Sequence, residues 1–171
     1  MRSICVYSAR RVGSTPLTID LSARYRLPNL SEIFNNPVRR PTAEAITLLE
    51  SEKPFVWAFK PDQKTKANAE IVQTFLDASD IIKITRNDLV KQIASYYFML
   101  KKLPVKHCID KILQENQTID NLTNYTRHIV YEDYPYLDVS FMTKPNIKPD
   151  NYDEICNSVS NILRQRGFEN V

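Results

Sequence analysis

Glycine is nearly missing from this chain: Gly13 and Gly167 are the only two among 171 residues. That scarcity excludes the common phosphate loop with its two glycines and a Lys-Ser/Thr pair. Cysteine is little used as well. Cys5, Cys108 and Cys156 lie far apart with no Cys-x-x-Cys pair, and Cys5 and Cys156 fall within apolar patterns, as buried free thiols do. The expected compartment is therefore reducing and cytoplasmic. His107 and His128 are the only histidines, too isolated to form a metal site with the cysteines. No apolar run approaches the length of a membrane span and no charged-then-apolar leader opens the sequence, so neither membrane insertion nor secretion is expected. The 23 basic residues are dispersed among 20 acidic ones, for a net charge of +3 and no long basic stripe. Duplex nucleic acid is not a favoured partner of such a surface.

What is present is 43% apolar residues, enough in this length for one sizeable core, so a single domain over 1–171 is expected. Short β-rich runs alternate with helical patterns, the signature of βαβ units. Strands are predicted at Ser3–Tyr7, Phe55–Phe59, Ile81–Thr85 and His128–Tyr131. Helices are predicted at Ser14–Tyr25, Thr42–Glu50, Ala67–Leu76 and Asp88–Leu103, the last stopped by Pro104. Shorter helical pieces are expected at Ile109–Leu113 and Asp120–Tyr125, a surface linker at Thr143–Pro149, and a closing helix at Tyr152–Gln165. The fold class that follows is a three-layer α/β/α domain on a parallel sheet of four or five strands.

Gly13 sits in the run Arg10-Arg11-Val12-Gly13-Ser14-Thr15, between the first strand and the first helix. A strand that turns through a basic loop into a helix aims backbone N–H groups and a positive dipole end at one point, a natural seat for phosphate. The glycine lets the backbone approach an anion, Arg11 supplies a forked cation, and Ser14 and Thr15 add hydroxyls. Adjacent arginines in a tight turn repel one another unless an anion joins them. No Asp-rich strand end offers a ligand for Mg²⁺, so the expectation is an anion cradle without a metal.

A second cluster follows the third strand. Arg86 leaves the strand's carboxyl end, where open α/β sheets bind ligands, and Asp88, Gln92 and Ser95 share one helix face. Arg86 and Ser95 can then face the same crevice as the first loop. The plainer alternative is an N-cap at Asn87 or Asp88, a surface cation at Arg86 and a solvated polar stripe.

Taken together, Arg11-Val12-Gly13-Ser14-Thr15 and the later Arg86 with Ser95 resemble the motifs of the PAPS-dependent sulfotransferases. The likeness is greatest to the bacterial carbohydrate branch typified by trehalose 2-sulfotransferase, through Val56-Trp57-Ala58-Phe59-Lys60, Arg86-Asn87-Asp88 with Gln92, and Tyr134-Pro135-Tyr136-Leu137. The resemblance implies a P-loop-like sulfotransferase architecture and transfer of a sulfuryl group from 3′-phosphoadenosine 5′-phosphosulfate to an acceptor hydroxyl, leaving 3′-phosphoadenosine 5′-phosphate. It implies that Arg10 to Thr15 hold the 5′-phosphosulfate and that Arg86 and Ser95 hold the 3′-phosphate. It makes Glu32, nineteen residues after Gly13, the base, and Arg11 the cation at the bridging oxygen. The acceptor it implies is a carbohydrate, as a small molecule or a glycan, with Lys60 and Tyr134 as contacts. The chain is shorter than is usual there, so the acceptor site is either open or completed by a second subunit.

Other readings stay open on the residues themselves. Glu32 can cap a short helix entered at Ser31, Lys60 can be a surface lysine, and Arg164-Gln165-Arg166-Gly167 can be a helix end with a glycine cap. A non-catalytic module of the same fold, keeping the nucleotide cradle without turnover, is the alternative function. A nucleoside-phosphate kinase with a degenerate loop is a third reading; it requires ATP and Mg²⁺, and the missing lysine after Gly13 speaks against it.

Overall fold

A computed structural model describes residues 1–35, 40–62, 68–100, 103–134, 149–169 and 171. Four strands form one parallel sheet: β1 (Ser3–Ser8), β2 (Val56–Phe59), β3 (Ser79–Thr85) and β4 (Arg127–Val130), in the spatial order β2-β1-β3-β4. The described residues form six α-helices: α1 (Ser14–Tyr25), α2 (Ala43–Glu50), α3 (Ala69–Asp77), α4 (Leu89–Leu100), α5 (Val105–Asp120) and α6 (Tyr152–Gln165). The chain leaves β1 for β2 on one side, then crosses back over β1 to reach β3 on the other. Right-handed crossovers in opposite directions place α1 and α2 on one face and α3 and α5 on the other. The three-layer α/β/α architecture expected from the sequence is the one observed, and its switch point lies between β1 and β3.

The strands are continuous apolar runs because both faces of the sheet are covered. Ile4, Cys5, Val6, Val56, Trp57, Phe59 and Ile84 are all buried. On the α3 face an aromatic cluster forms, with Phe34 and Phe75 edge to face at 5.6 Å and Trp57 against both. The indole N–H of Trp57 donates to Ser79 Oγ at 3.0 Å, so the one polar atom of this ring is satisfied inside the core. Residues 28–31 run along the outer edge of β2 through Val56 N–H to Pro28 C=O (2.8 Å), Leu30 N–H to Val56 C=O (2.9 Å) and Ala58 N–H to Ser31 C=O (2.8 Å). That edging shields a strand edge and delivers Glu32 to the carboxyl end of β2.

A second apolar cluster joins α4, α5 and α6 through Ile93, Tyr96, Cys108, Ile109, Ile112, Val159 and Leu163. Here the sequence reading needs correction. The piece expected at Ile109–Leu113 is part of a sixteen-residue helix, Val105–Asp120, and the piece expected at Asp120–Tyr125 is not helical beyond Asp120. The buried face of α5 carries Glu115 between Ile112 and Ile119, and this carboxylate hides the helical period. Pro104 stands at the N-cap of α5, where its missing N–H is harmless. All three cysteines are free, and α6 spans the predicted residues. Arg164 and Arg166 close α6 on Val171 and Asp110, with Gly167 at φ 89° as the glycine end. Residues 143–148 of the expected linker, 135–137 of the tyrosine motif, Ala67, and 101–102 at the end of the predicted fourth helix lie outside the described residues.

Phe75→Ala is expected to lower the unfolding free energy by about 3–5 kcal/mol, since it empties the centre of the aromatic cluster. Denaturant unfolding followed by Trp57 fluorescence measures it, and a loss below about 1 kcal/mol would show that the cluster collapses around the gap.

Candidate anion-binding site

The carboxyl ends of β1 and β3 meet at the switch point, where open α/β sheets bind their ligands. From β1 the chain turns through Ala9 to Gly13 into α1. Val12 is buried and anchors the turn, and Arg11 and Gly13 both take left-handed backbone, at φ 62° and 81°. Gly13 is the N-cap residue of α1 and gives no side-chain cap, so the first-turn N–H groups are left to the crevice. Ser14 opens the helix and is buried, while Thr15 is exposed. A left-handed arginine costs on the order of 1 kcal/mol or more and persists only where its surroundings over-determine it.

Arg11 Nε donates to Ser95 Oγ on α4 at 2.7 Å. Among the described residues Arg11 has no carboxylate partner. Although the residue is exposed, the protein crowds its guanidinium, and this desolvation, followed by the Arg86 charge, presses the Arg11 pKa down. Arg86 enters from the turn after β3. It donates to the Arg11 carbonyl at 3.1 Å, lies 4.8 Å over the Tyr131 ring, and stands 3.7 Å from the Glu132 carboxylate. Glu132 also accepts the backbone N–H groups of Asn87 and Asp88, each at 3.0 Å, and so closes the entrance to α4. Asp88 accepts Lys91 N–H at 2.9 Å in the manner of an N-cap.

The other predicted site residues are placed as follows. Arg10 points away from the crevice and is paired with Glu115 and Asp62. Glu32 and Lys60 form an ion pair at the carboxyl end of β2, both largely buried. Tyr134 donates its hydroxyl to Asp20 of α1 at 2.6 Å and lies against the main core. Burial, reinforced by this bond and the Asp20 charge, pushes its phenol up to about 12. His128 pairs with Thr85 at 2.9 Å, and His107 is exposed. The structure thus links Arg11, Ser95 and Arg86 by hydrogen bonds beside the start of α1 at Gly13, Ser14 and Thr15, sets Glu32 and Lys60 at the end of β2, and pairs Arg10 and Tyr134 with carboxylates elsewhere. Glu115 and Glu132 were missed. Glu132 had a faint signal in the acidic, aromatic run after the last strand; Glu115 had none, being a lone carboxylate in an apolar stripe.

The described residues offer no group of three His, Cys, Asp or Glu side chains arranged to hold a metal ion. The carboxylates around the crevice are engaged with cations or backbone, and they do not fit a Mg²⁺ site. No described helix is long and apolar enough to cross a membrane.

Fold and loop define a P-loop-like α/β protein. No family model matches the chain, and no curated protein sequence matches it. Among solved structures it is similar to a shikimate kinase from Bacteroides thetaiotaomicron, at 7% identity over 95% of this chain and 98% of that one, with a TM-score of 0.51. A gluconokinase from Sinorhizobium meliloti 1021 aligns over 99% of this chain and 98% of that one, at 8% identity and a TM-score of 0.49. At these identities the likeness is one of fold.

The fold shared with the shikimate kinase overturns the resemblance to PAPS-dependent sulfotransferases. With it go sulfuryl transfer with Glu32 as base, the donor 3′-phosphoadenosine 5′-phosphosulfate and its product, and the non-catalytic module for the same ligands. The physical reason lies in what the matched residues do. Arg86 and Ser95, expected to hold a ligand phosphate together, hold Arg11 instead, one by its carbonyl and one by its guanidinium. Gly13-Ser14-Thr15 is what any strand-to-helix phosphate turn requires.

Backbone hydrogen bonds and the Arg86 charge hold the Glu132 carboxyl below its usual range, although desolvation works the other way. A depressed carboxylate contributes stability above its unfolded pKa and loses it as pH falls through the folded value. Glu132→Gln is therefore expected to cost about 1 kcal/mol or more at neutral pH, since its one carbonyl oxygen keeps a single backbone N–H bond and the other N–H meets the amide NH2. It is also expected to flatten the decline of stability in the acid range. Superimposable melting temperatures of the two proteins from pH 7 down to acid would contradict this role.

Proposed function

We propose that the chain is a P-loop-type phosphotransferase that binds a nucleoside polyphosphate on the β1–α1 loop and passes a phosphoryl group to a hydroxyl of a small molecule. One observation carries the reading: Arg11, a cation without a carboxylate partner among the described residues, is held in left-handed backbone beside Arg86 at the N-terminus of α1. Two neighbouring guanidiniums with little to neutralise one of them fit an anionic ligand. The kinase fold of the structural neighbour supports phosphate as that anion.

The missing lysine after Gly13, which speaks against a kinase on sequence, is offset in this reading by Arg11 and Arg86. Arg11 forks onto phosphate oxygens, the N–H groups of the first turn of α1 and the hydroxyls of Ser14 and Thr15 complete the cradle, and Arg86 fixes the Arg11 peptide. The acceptor lies toward the carboxyl end of β2. There its hydroxyl oxygen attacks phosphorus, the bond to the bridging oxygen breaks, and the proton passes to Glu32, which Lys60 orients. Charge that develops on the leaving oxygen is met by Arg11.

Calorimetric titration with ATP, with and without Mg²⁺ and beside adenosine 5′-phosphate, tests this reading. ATP is expected to bind more tightly than the monophosphate. Arg11→Ala is expected to weaken ATP binding about tenfold to a hundredfold, the worth of charge-assisted hydrogen bonds, with little change in melting temperature. Absence of ATP binding, or equal binding by the variant, would overturn it.

A further inference from the structure

Arg10 belongs to the loop by sequence, yet its guanidinium is turned inward. Glu115 of α5, 1% exposed, accepts the Arg10 backbone N–H at 3.0 Å and pairs with the guanidinium. Asp62 takes another edge of the same guanidinium, and the Tyr96 ring lies 5.8 Å from it. The Arg10 carbonyl accepts Gln92 Nε2 at 2.8 Å. Gln92, fully buried on α4, is itself fixed by a two-way amide pair with Asn116 at 3.2 and 3.0 Å. The next carbonyl, that of Arg11, accepts Arg86. Three of the four backbone polar groups of Arg10 and Arg11 are therefore each held by a side chain from elsewhere: the Arg10 N–H by α5, the Arg10 carbonyl by α4, and the Arg11 carbonyl by the turn after β3.

Stability alone is a weak reason for such an arrangement. Position 115 lies on the face of α5 that otherwise presents Cys108, Ile109, Ile112 and Ile119, where an apolar residue would bury without desolvating a charge. The same holds for Gln92, which sits next to the buried Ile93 and Ala94. Both polar side chains reach the backbone of the same residue, on the two peptide groups that flank Arg10.

We propose that Glu115 and Gln92 are positioning residues for the phosphate loop. They act through the Arg10 peptide and touch no ligand themselves. By fixing Arg10 on both sides they impose the left-handed turn at Arg11 and send its side chain to Ser95 and the crevice, so the loop is ordered before an anion arrives and binding does not bear the cost of ordering it. They also retire Arg10 from the site, since Glu115 and Asp62 neutralise its charge. That consequence for phosphate rests on the function proposed above; the fixing of the loop does not.

The experiment has two arms, applied to wild type, Glu115→Ala, Glu115→Gln and Gln92→Ala well below their melting temperatures. The first follows amide hydrogen exchange at Arg10 to Gly13 in the free protein. The second titrates inorganic triphosphate. Glu115→Ala is expected to speed exchange at these amides by about tenfold or more and to weaken triphosphate by a similar factor. Glu115→Gln, which keeps an oxygen for the Arg10 N–H, is expected to stay within about threefold of wild type in both. A Glu115→Ala protein that melts lower but exchanges and binds as wild type does would overturn the proposal, because that is the behaviour of a purely stabilising pair. Should it fail to fold, Gln92→Ala, which strands no charge, is read by the same criteria. Failure of the wild type to bind triphosphate counts against the phosphate reading, while the exchange arm still decides the positioning role.

Discussion

Glu115 reaches from α5 across to the turn after β1 and takes both the backbone N–H and the guanidinium of Arg10. This contact ties the main sheet core to the cluster of α4, α5 and α6, which are otherwise two separate sets of buried apolar side chains. Removing Glu115 leaves Asp62 against the Arg10 guanidinium, so the loss stays below the about 3–5 kcal/mol that a buried charge stranded without a partner costs. One contact thus bears on both the shape of the loop and the seating of α5, beside Gln92 on the Arg10 carbonyl and Ile119 in the sheet core.

The charges around the crevice sort themselves by that geometry. Arg10 is neutralised by Glu115 and Asp62, and Lys60 by Glu32. Arg86 leans toward Glu132 at 3.7 Å, a distance that leaves attraction without a made hydrogen bond. Its donor bond goes to the Arg11 carbonyl instead. Among the described residues Arg11 is left without a carboxylate: its guanidinium holds a neutral serine, and desolvation followed by the neighbouring charge of Arg86 disfavours its protonated form. An array in which the other described cations of the loop are matched by carboxylates focuses its field on Arg11.

The sequence was most legible where chain chemistry is local. The apolar run before the loop, the helix from Ser14 to Tyr25 and the closing helix from Tyr152 to Gln165 follow from period and capping alone. So does the gathering of Arg86 and Ser95 toward the loop, because a strand end and the next helix turns are neighbours by construction. Long-range pairings left no local trace. Glu115 sits 105 residues from Arg10, and its presence on the buried face left only Ile109–Leu113 of α5 legible as helix. The likeness to sulfotransferases arose from the same local grammar. Short motifs of arginine, glycine and hydroxyl residues mark a phosphate turn in general, and they do not by themselves say which phosphate ester the turn was built for.

A seat with one uncompensated guanidinium cannot neutralise a polyphosphate by charge alone. Two consequences follow from the way Arg11 is held. Its Nε is already committed to Ser95, so the fork presents its two terminal nitrogens, a geometry that suits a pair of oxygens on one phosphorus. On the proposed reading the rest of a polyphosphate's charge would face solvent, where an ionic strength of about 0.15 M screens it over roughly 8 Å. Selectivity at this site then depends on the direction of the Arg11 fork and the first-turn N–H groups of α1 more than on net attraction. That direction is set by a peptide that the ligand does not touch.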